Sequence, residues 1–182
     1  MKIDTTIQAS AHLLKASGGP VSRLRLLKLL YLAERRLLVE GWCSLTGDEP
    51  VAMNKGPVLI HTNAAIDGQG PMAAEWKKFF ENAGGNGVML RLIADPGNGA
   101  LSPAIVDILN EEVEKFRDVD DEELSEQTHH LVEWIEAWKP TSADAPFPIP
   151  WDHTLELIGK PEIAAELRAQ DELHRAMEGL GA

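Results

Sequence analysis

Cys43 is the single cysteine among 182 residues and the first side chain to weigh for covalent chemistry. A catalytic nucleophile needs a base beside it and a third group to orient that base. Cys43 follows Trp42 in a stretch with turn character, and no Gly-x-Ser-x-Gly elbow occurs in the chain. A small packed hydrophobe is therefore its expected role. One thiol also excludes an internal disulfide and a thiolate metal cluster. His129-His130 supplies two imidazoles, but adjacent helical residues point about 100° apart and cannot close on a metal as an i,i+4 pair does. A structural hydrogen bond is the expectation for His129. Glu122, Glu123 and Glu126 are expected to form a solvated helix face, because separated carboxylates on one helix are unspecific. Gly84-Gly85-Asn86-Gly87 precedes an apolar run where a phosphate loop would follow one, so it is expected to be a turn. Asp48 and His129 would serve a hydrolase only within hydrogen-bond reach of each other in a cleft. The expectation is a non-enzyme with no metal and no cofactor.

The elements that carry these residues are mostly helical. Thr5–Ala16 has one apolar face and ends at Ser17-Gly18-Gly19-Pro20. Ser22 stands at an N-cap position before Leu24, Leu26, Leu27, Leu29, Leu30, Tyr31, Leu32 and Ala33. A helix with so little polar surface must sit at the centre of the fold. Its cations Arg25, Lys28, Arg35 and Arg36 fall along one stripe, and Gly41 stops it. Thr46-Gly47-Asp48 reads as a turn and Pro50–Met53 as a short extended segment. Gly56-Pro57 reads as a further break, with Gly56 extended because a proline follows it. A helix is expected from Val58 towards Asp67, another across Ala73–Asn82, and a strand at Val88–Ile93. Ser102 caps a helix that Pro103 opens. Asp120 or Asp121 opens one that keeps helical spacing to Lys139. A Pro-rich linker at about 139–151 leads to C-terminal helices, a short one from Trp151 or Asp152 to Ile158 and a longer one at Pro161–Glu178. The fold class is mainly α with minor β: one compact domain, 1–182, around a buried central helix, with a short extended segment and one or two strands.

A hydrophobic content of 44% against 25% charged residues suits a folded globular chain and excludes a disordered one. No run reaches the length of a membrane span and no apolar leader opens the sequence, so a cytoplasmic location is expected and a membrane partner is not. Charge is uneven. Met1–Ile93 carries 11 Lys/Arg against 8 Asp/Glu, and Ala94–Ala182 carries 6 against 21. Duplex DNA repels so acidic a domain unless a basic patch stands apart, which makes nucleic acid an unlikely partner. The alternative is an autorepressor that reads its own promoter through Arg25, Lys28 and Arg36.

Three segments in order carry a family resemblance: Leu27-Lys28-Leu29-Leu30-Tyr31-Leu32-Ala33-Glu34-Arg35, then Thr46-Gly47-Asp48, then Val51-Ala52-Met53-Asn54-Lys55-Gly56-Pro57-Val58. Together they resemble the Panacea domain, the SocA-like antitoxin domain. Leu101-Ser102, Thr128-His129 followed by Trp134, Ile149-Pro150-Trp151 and Gly159-Lys160 extend the similarity over nearly the whole chain. His130-Leu131-Val132-Glu133 departs from the short polar or proline-containing insert typical before that tryptophan. The resemblance implies an antitoxin of a bacterial or phage toxin–antitoxin pair that neutralises a cognate toxin by direct binding. It also implies similarity to a proteolytic adaptor that hands the bound toxin to ClpX of the ClpXP protease. Lys28, Tyr31, Gly47, Asp48, Met53, Lys55, Gly56, Pro57, His129 and Trp134 are the family-motif residues, with scaffold and partner contact both open for each.

Overall fold

A computed structural model describes residues 1–83, 89–140 and 145–180. α1 (Ile3–Ala16) buries Thr6, Ile7, Ser10, Leu13 and Leu14, a stripe at helical spacing. The pair Val21–Ser22 forms a minimal strand, β1, and leads directly into α2 (Arg23–Val39). Ser22 caps α2 by accepting from the Arg25 N–H at 2.9 Å. At the other end Gly41, with φ +82°, lets the chain turn back. The N–H groups of Gly41 and Trp42 then donate to the carbonyls of Leu38 and Leu37 at 3.0 and 2.9 Å. Two otherwise orphaned carbonyls are thereby satisfied.

α2 is the centre of the molecule. Leu26, Leu29, Leu30, Tyr31, Ala33 and Leu37 are buried, and so are the charged residues Lys28 and Glu34. α1, α5 (Pro103–Lys115), α6 (Asp121–His129) and β3 (Gly56–Leu59) pack around it. Arginines on α2 reach outward to acids on α5 and α6 and to Glu133 beyond α6. Arg25 meets Asp121 at 2.7 Å, Arg35 meets Glu133 at 2.6 Å, and Arg36 meets Glu111 at 2.6 Å. The expected basic stripe is thus turned against the acidic half of the same chain.

The fold is mainly α with minor β, as expected, and among the described residues the β part is six short strands in place of one extended segment and one or two strands. β2 (Pro50–Met53) pairs with β3 on one side and with β6 (Phe147–Pro148) on the other. β4 (Phe80–Ala83) and β5 (Met89–Leu92) form a second sheet with β1. Gly56-Pro57 is therefore not a break but the start of a hairpin strand. Pro57 is tolerated because β3 lies at the sheet edge. The Pro-rich linker contributes β6, with its residues 141–144 outside those described. The turn at Gly84–Gly87 and Val88 of the expected strand also lie outside them. α3 (Ile60–Ile66) and α4 (Ala73–Phe79) follow the expected helices, but Phe80–Asn82 is drawn into β4 by Leu90–Leu92. The expected helix from Asp120 to Lys139 is broken. α6 ends at His129, Leu131 is extended at φ −69° and ψ 130°, and α7 (Val132–Ala137) starts afresh. α8 (Trp151–Leu157) and α9 (Pro161–Leu180) pack on each other. Among the described residues no helix is long and apolar enough to cross a membrane.

Candidate functional site

The family-motif residues gather in two places at opposite ends of β2. The larger group surrounds the β2–β3 turn. Asn54 and Lys55 make that turn without positive φ, and Gly56 closes it at φ +86°. This is the type I turn with a glycine bulge found in short hairpins. Only glycine fits. A Cβ at position 56 would collide with Thr128 Oγ1 and stand 2.9 Å from Lys28 Nζ. The sequence-based expectation of an extended Gly56 is corrected here, because the bulge outweighs the preference imposed by Pro57.

Three alternate carbonyls of the hairpin are each held by a side chain from a different helix. Met53 O accepts from Trp134 Nε1 at 3.0 Å, Lys55 O from Ser125 Oγ at 2.8 Å, and Pro57 O from Lys28 Nζ at 2.7 Å. α7, α6 and α2 thereby pin one turn. Lys28 is fully enclosed, and burial lowers its pKa to about 7. His129 stacks on Trp134 with ring centroids 4.2 Å apart and bonds Glu126 Oε2 through Nδ1 at 3.0 Å. Trp138 continues the stack at 5.7 Å from Trp134. The departure at His130–Glu133 is where α6 gives way to α7, and it leaves Trp134 able to reach the hairpin.

Beside this group Tyr31 donates its hydroxyl to Glu133 Oε1 at 3.1 Å, and Arg35 Nε donates to the same oxygen at 2.6 Å. Burial, followed by the charge of Glu133, pushes the Tyr31 hydroxyl well above its ordinary pKa. Glu133 and Arg35 were not singled out in the sequence. Arg35 belonged to the cationic stripe, but nothing local marks Glu133 as its partner 98 positions away.

The second group is built on the Thr46–Asp48 turn. Asp48 Oδ1 accepts from the Glu49 and His61 N–H groups, and Oδ2 accepts from the Thr62 N–H and hydroxyl. It is the N-terminal cap of α3, supplied from outside the helix. Glu34 on α2 accepts from the Thr46 N–H and hydroxyl at 2.8 and 2.9 Å. Burial raises the Glu34 carboxyl above its usual range, and these bonds draw it partly back. Gly47, at φ +59°, lies against the backbone of Met1.

Asp48 and His129 therefore belong to different groups and share no bond. The geometry does not assemble the acid–base pair that a hydrolase would need. Cys43 is exposed instead of packed as a small hydrophobe. It lies on the loop between α2 and β2.

The fold and site thus define a mainly helical domain in which side chains from three helices hold one hairpin, and a buried glutamate and a capping aspartate hold one turn, around a central helix. A scan against family models matches residues 26–135 to the family described as antitoxin SocA-like, Panacea domain. That span covers more than half of the chain and all ten family-motif residues, and the chain belongs to this family. Searches of curated proteins and of solved structures found no match.

Proposed function

We propose that the protein neutralises a cognate toxin by binding it directly, without catalysing a reaction, in the cytoplasm. Its membership of the SocA-like antitoxin family over residues 26–135 carries this assignment. The side chains with nucleophile or acid–base potential are consistent with it. Asp48 is saturated with four hydrogen bonds, and His129 is stacked and tied to Glu126. The motif residues act as scaffold: Lys28, Gly56, Pro57 and Trp134 hold the hairpin, while Gly47 and Asp48 hold the turn. Residues 1–182 work as one Panacea-like domain. The surface left for a toxin is acidic, because the α2 arginines are neutralised internally while the second half keeps most of its carboxylates outward. Such a surface suits a basic partner by faster association and charge complementarity.

Co-expression of the neighbouring gene product should yield a complex that co-purifies and should restore growth. A neighbouring product that is neither bound nor neutralised sinks the assignment. The adaptor step is a further part of the proposal, in which the bound toxin is passed to ClpXP. The toxin's half-life should then lengthen in cells lacking ClpX, and an unchanged half-life removes that step. Promoter binding through Arg25, Lys28 and Arg36 is disfavoured by their contacts, since Lys28 is enclosed and both arginines face acids.

A further inference from the structure

A groove opens where Gly47 and Asp48 meet the segment before α8, at the end of β2 away from the pinned β2–β3 turn. It encloses about 460 Å³, within the range of about 300–1,000 Å³ typical of ligand pockets. Pro50, Pro148, Pro150 and Leu167 give it apolar walls. Prolines hold such walls in one backbone conformation, so little ordering remains to be done on binding.

Every charged residue along the groove is acidic: Asp48, Glu49, Asp152 and Asp171. Asp48 is engaged in capping α3, and Asp152 accepts from Arg168 at 3.1 Å. Glu49 is different. Its side chain is 78% exposed, and the His61 ring it faces is 3.7 Å away. Trp151 also lines the groove and stacks on Tyr31 with centroids 5.4 Å apart. Its indole N–H is buried and meets no acceptor among the described residues. A buried donor without a partner is a standing penalty, which an acceptor from outside relieves.

We infer that this groove seats an extended segment of the toxin in which a lysine or arginine stands beside an apolar residue, a proposal that rests on the antitoxin function above. The cation meets Glu49 at the lip. The apolar side chain lies against Leu167 and the prolines. A backbone carbonyl of the segment takes the Trp151 N–H once the indole turns towards it. The walls and carboxylates are present before the partner arrives, and the indole donor supplies the one directional contact.

The test uses the purified toxin of the neighbouring gene, titrated calorimetrically against the full-length protein and three variants whose thermal melting is checked first. Glu49→Arg reverses the exposed charge at the lip, Leu167→Glu places a charge on the apolar wall, and Asp107→Arg on α5 is a control outside the groove. Reversal at Glu49 is expected to weaken binding about tenfold, mainly through slower association. Leu167→Glu is expected to weaken it further, and the control to bind like the wild type. Undiminished affinity in Glu49→Arg, with wild-type binding intact, overturns the groove and leaves the antitoxin function standing. A wild-type protein that does not bind the toxin overturns that function and the groove proposal with it. A concentration-dependent dimer that Leu167→Glu breaks would put a second copy of the chain in the groove, and that too overturns the proposal.

Discussion

Lys28 shows how a single buried charge can hold a hairpin and set a pH response. Its ammonium donates to Pro57 O and has no exposure to solvent. Its pKa of about 7 in the folded state lies below the 10.5 of a solvated lysine. The unfolded chain therefore holds the extra proton throughout the window between those values. The stability contributed by this group rises as pH increases from about 7 towards 10.5, and the full penalty stands below about 7. The slope is at most about 1.4 kcal/mol per pH unit. Urea unfolding at pH 7, 8 and 9 should show that slope in the wild type and its loss in Lys28→Met. Equal slopes in the two proteins would mean that Lys28 is not desolvated. Gly56 is a position where only glycine fits. Gly56→Ala forces a side chain into Thr128 and Lys28 and into a left-handed backbone conformation. It should cost about 3 kcal/mol or more by chemical denaturation, and a loss below about 1 kcal/mol would show that the turn can relax.

At the scale of elements, the contact of α2 with α7 turns on one ion pair. Glu133 is buried, and its carboxylate takes both Arg35 and the Tyr31 hydroxyl. Arg35→Met strands that carboxylate and should destabilise the fold by about 3 kcal/mol, because an unpartnered buried charge is the expensive state. The double variant Arg35→Met with Glu133→Leu should recover much of the loss. A double-mutant cycle with additive losses would place the two side chains out of contact. The same contact explains what was legible in the sequence and what was not. Ser22, Ser102 and Gly41 mark helix ends through chemistry within a few residues, and those ends fall where expected. The break at His130–Leu131 has no Gly or Pro to announce it. Long-range bonds from Glu133 to α2 and from Trp134 to Met53 set it, and local periodicity does not report them. The β2–β3 hairpin had a readable signal in Asn54-Lys55-Gly56 between two apolar runs, but Pro57 suggested a break because its place on an edge strand was not knowable from sequence. β1 and β6 have two residues each, too short for any pattern.

At the scale of the whole molecule, the charge asymmetry proves to be partly internal. The formal charge is −12, and the basic face of α2 is covered by acids of α5, α6 and α7. A fluorescence titration with promoter duplex at low salt should accordingly show no saturable binding. Specific binding that weakens steeply with salt would instead require a cationic surface freed from these pairs. The motif positions were legible as a set, and they gather around two turns, the second of which, at Gly47 and Asp48, also borders the proposed groove. The binding surface was not legible, because it is assembled from proline segments, a loop and a late helix that share no local pattern. The central claim is direct neutralisation of a protein partner, and the most direct measurement is calorimetric titration of the neighbouring gene product into the purified protein, paired with growth of cells expressing both. The account predicts a saturable complex of defined stoichiometry and restored growth. Restored growth without any complex, or no rescue at all, would contradict it.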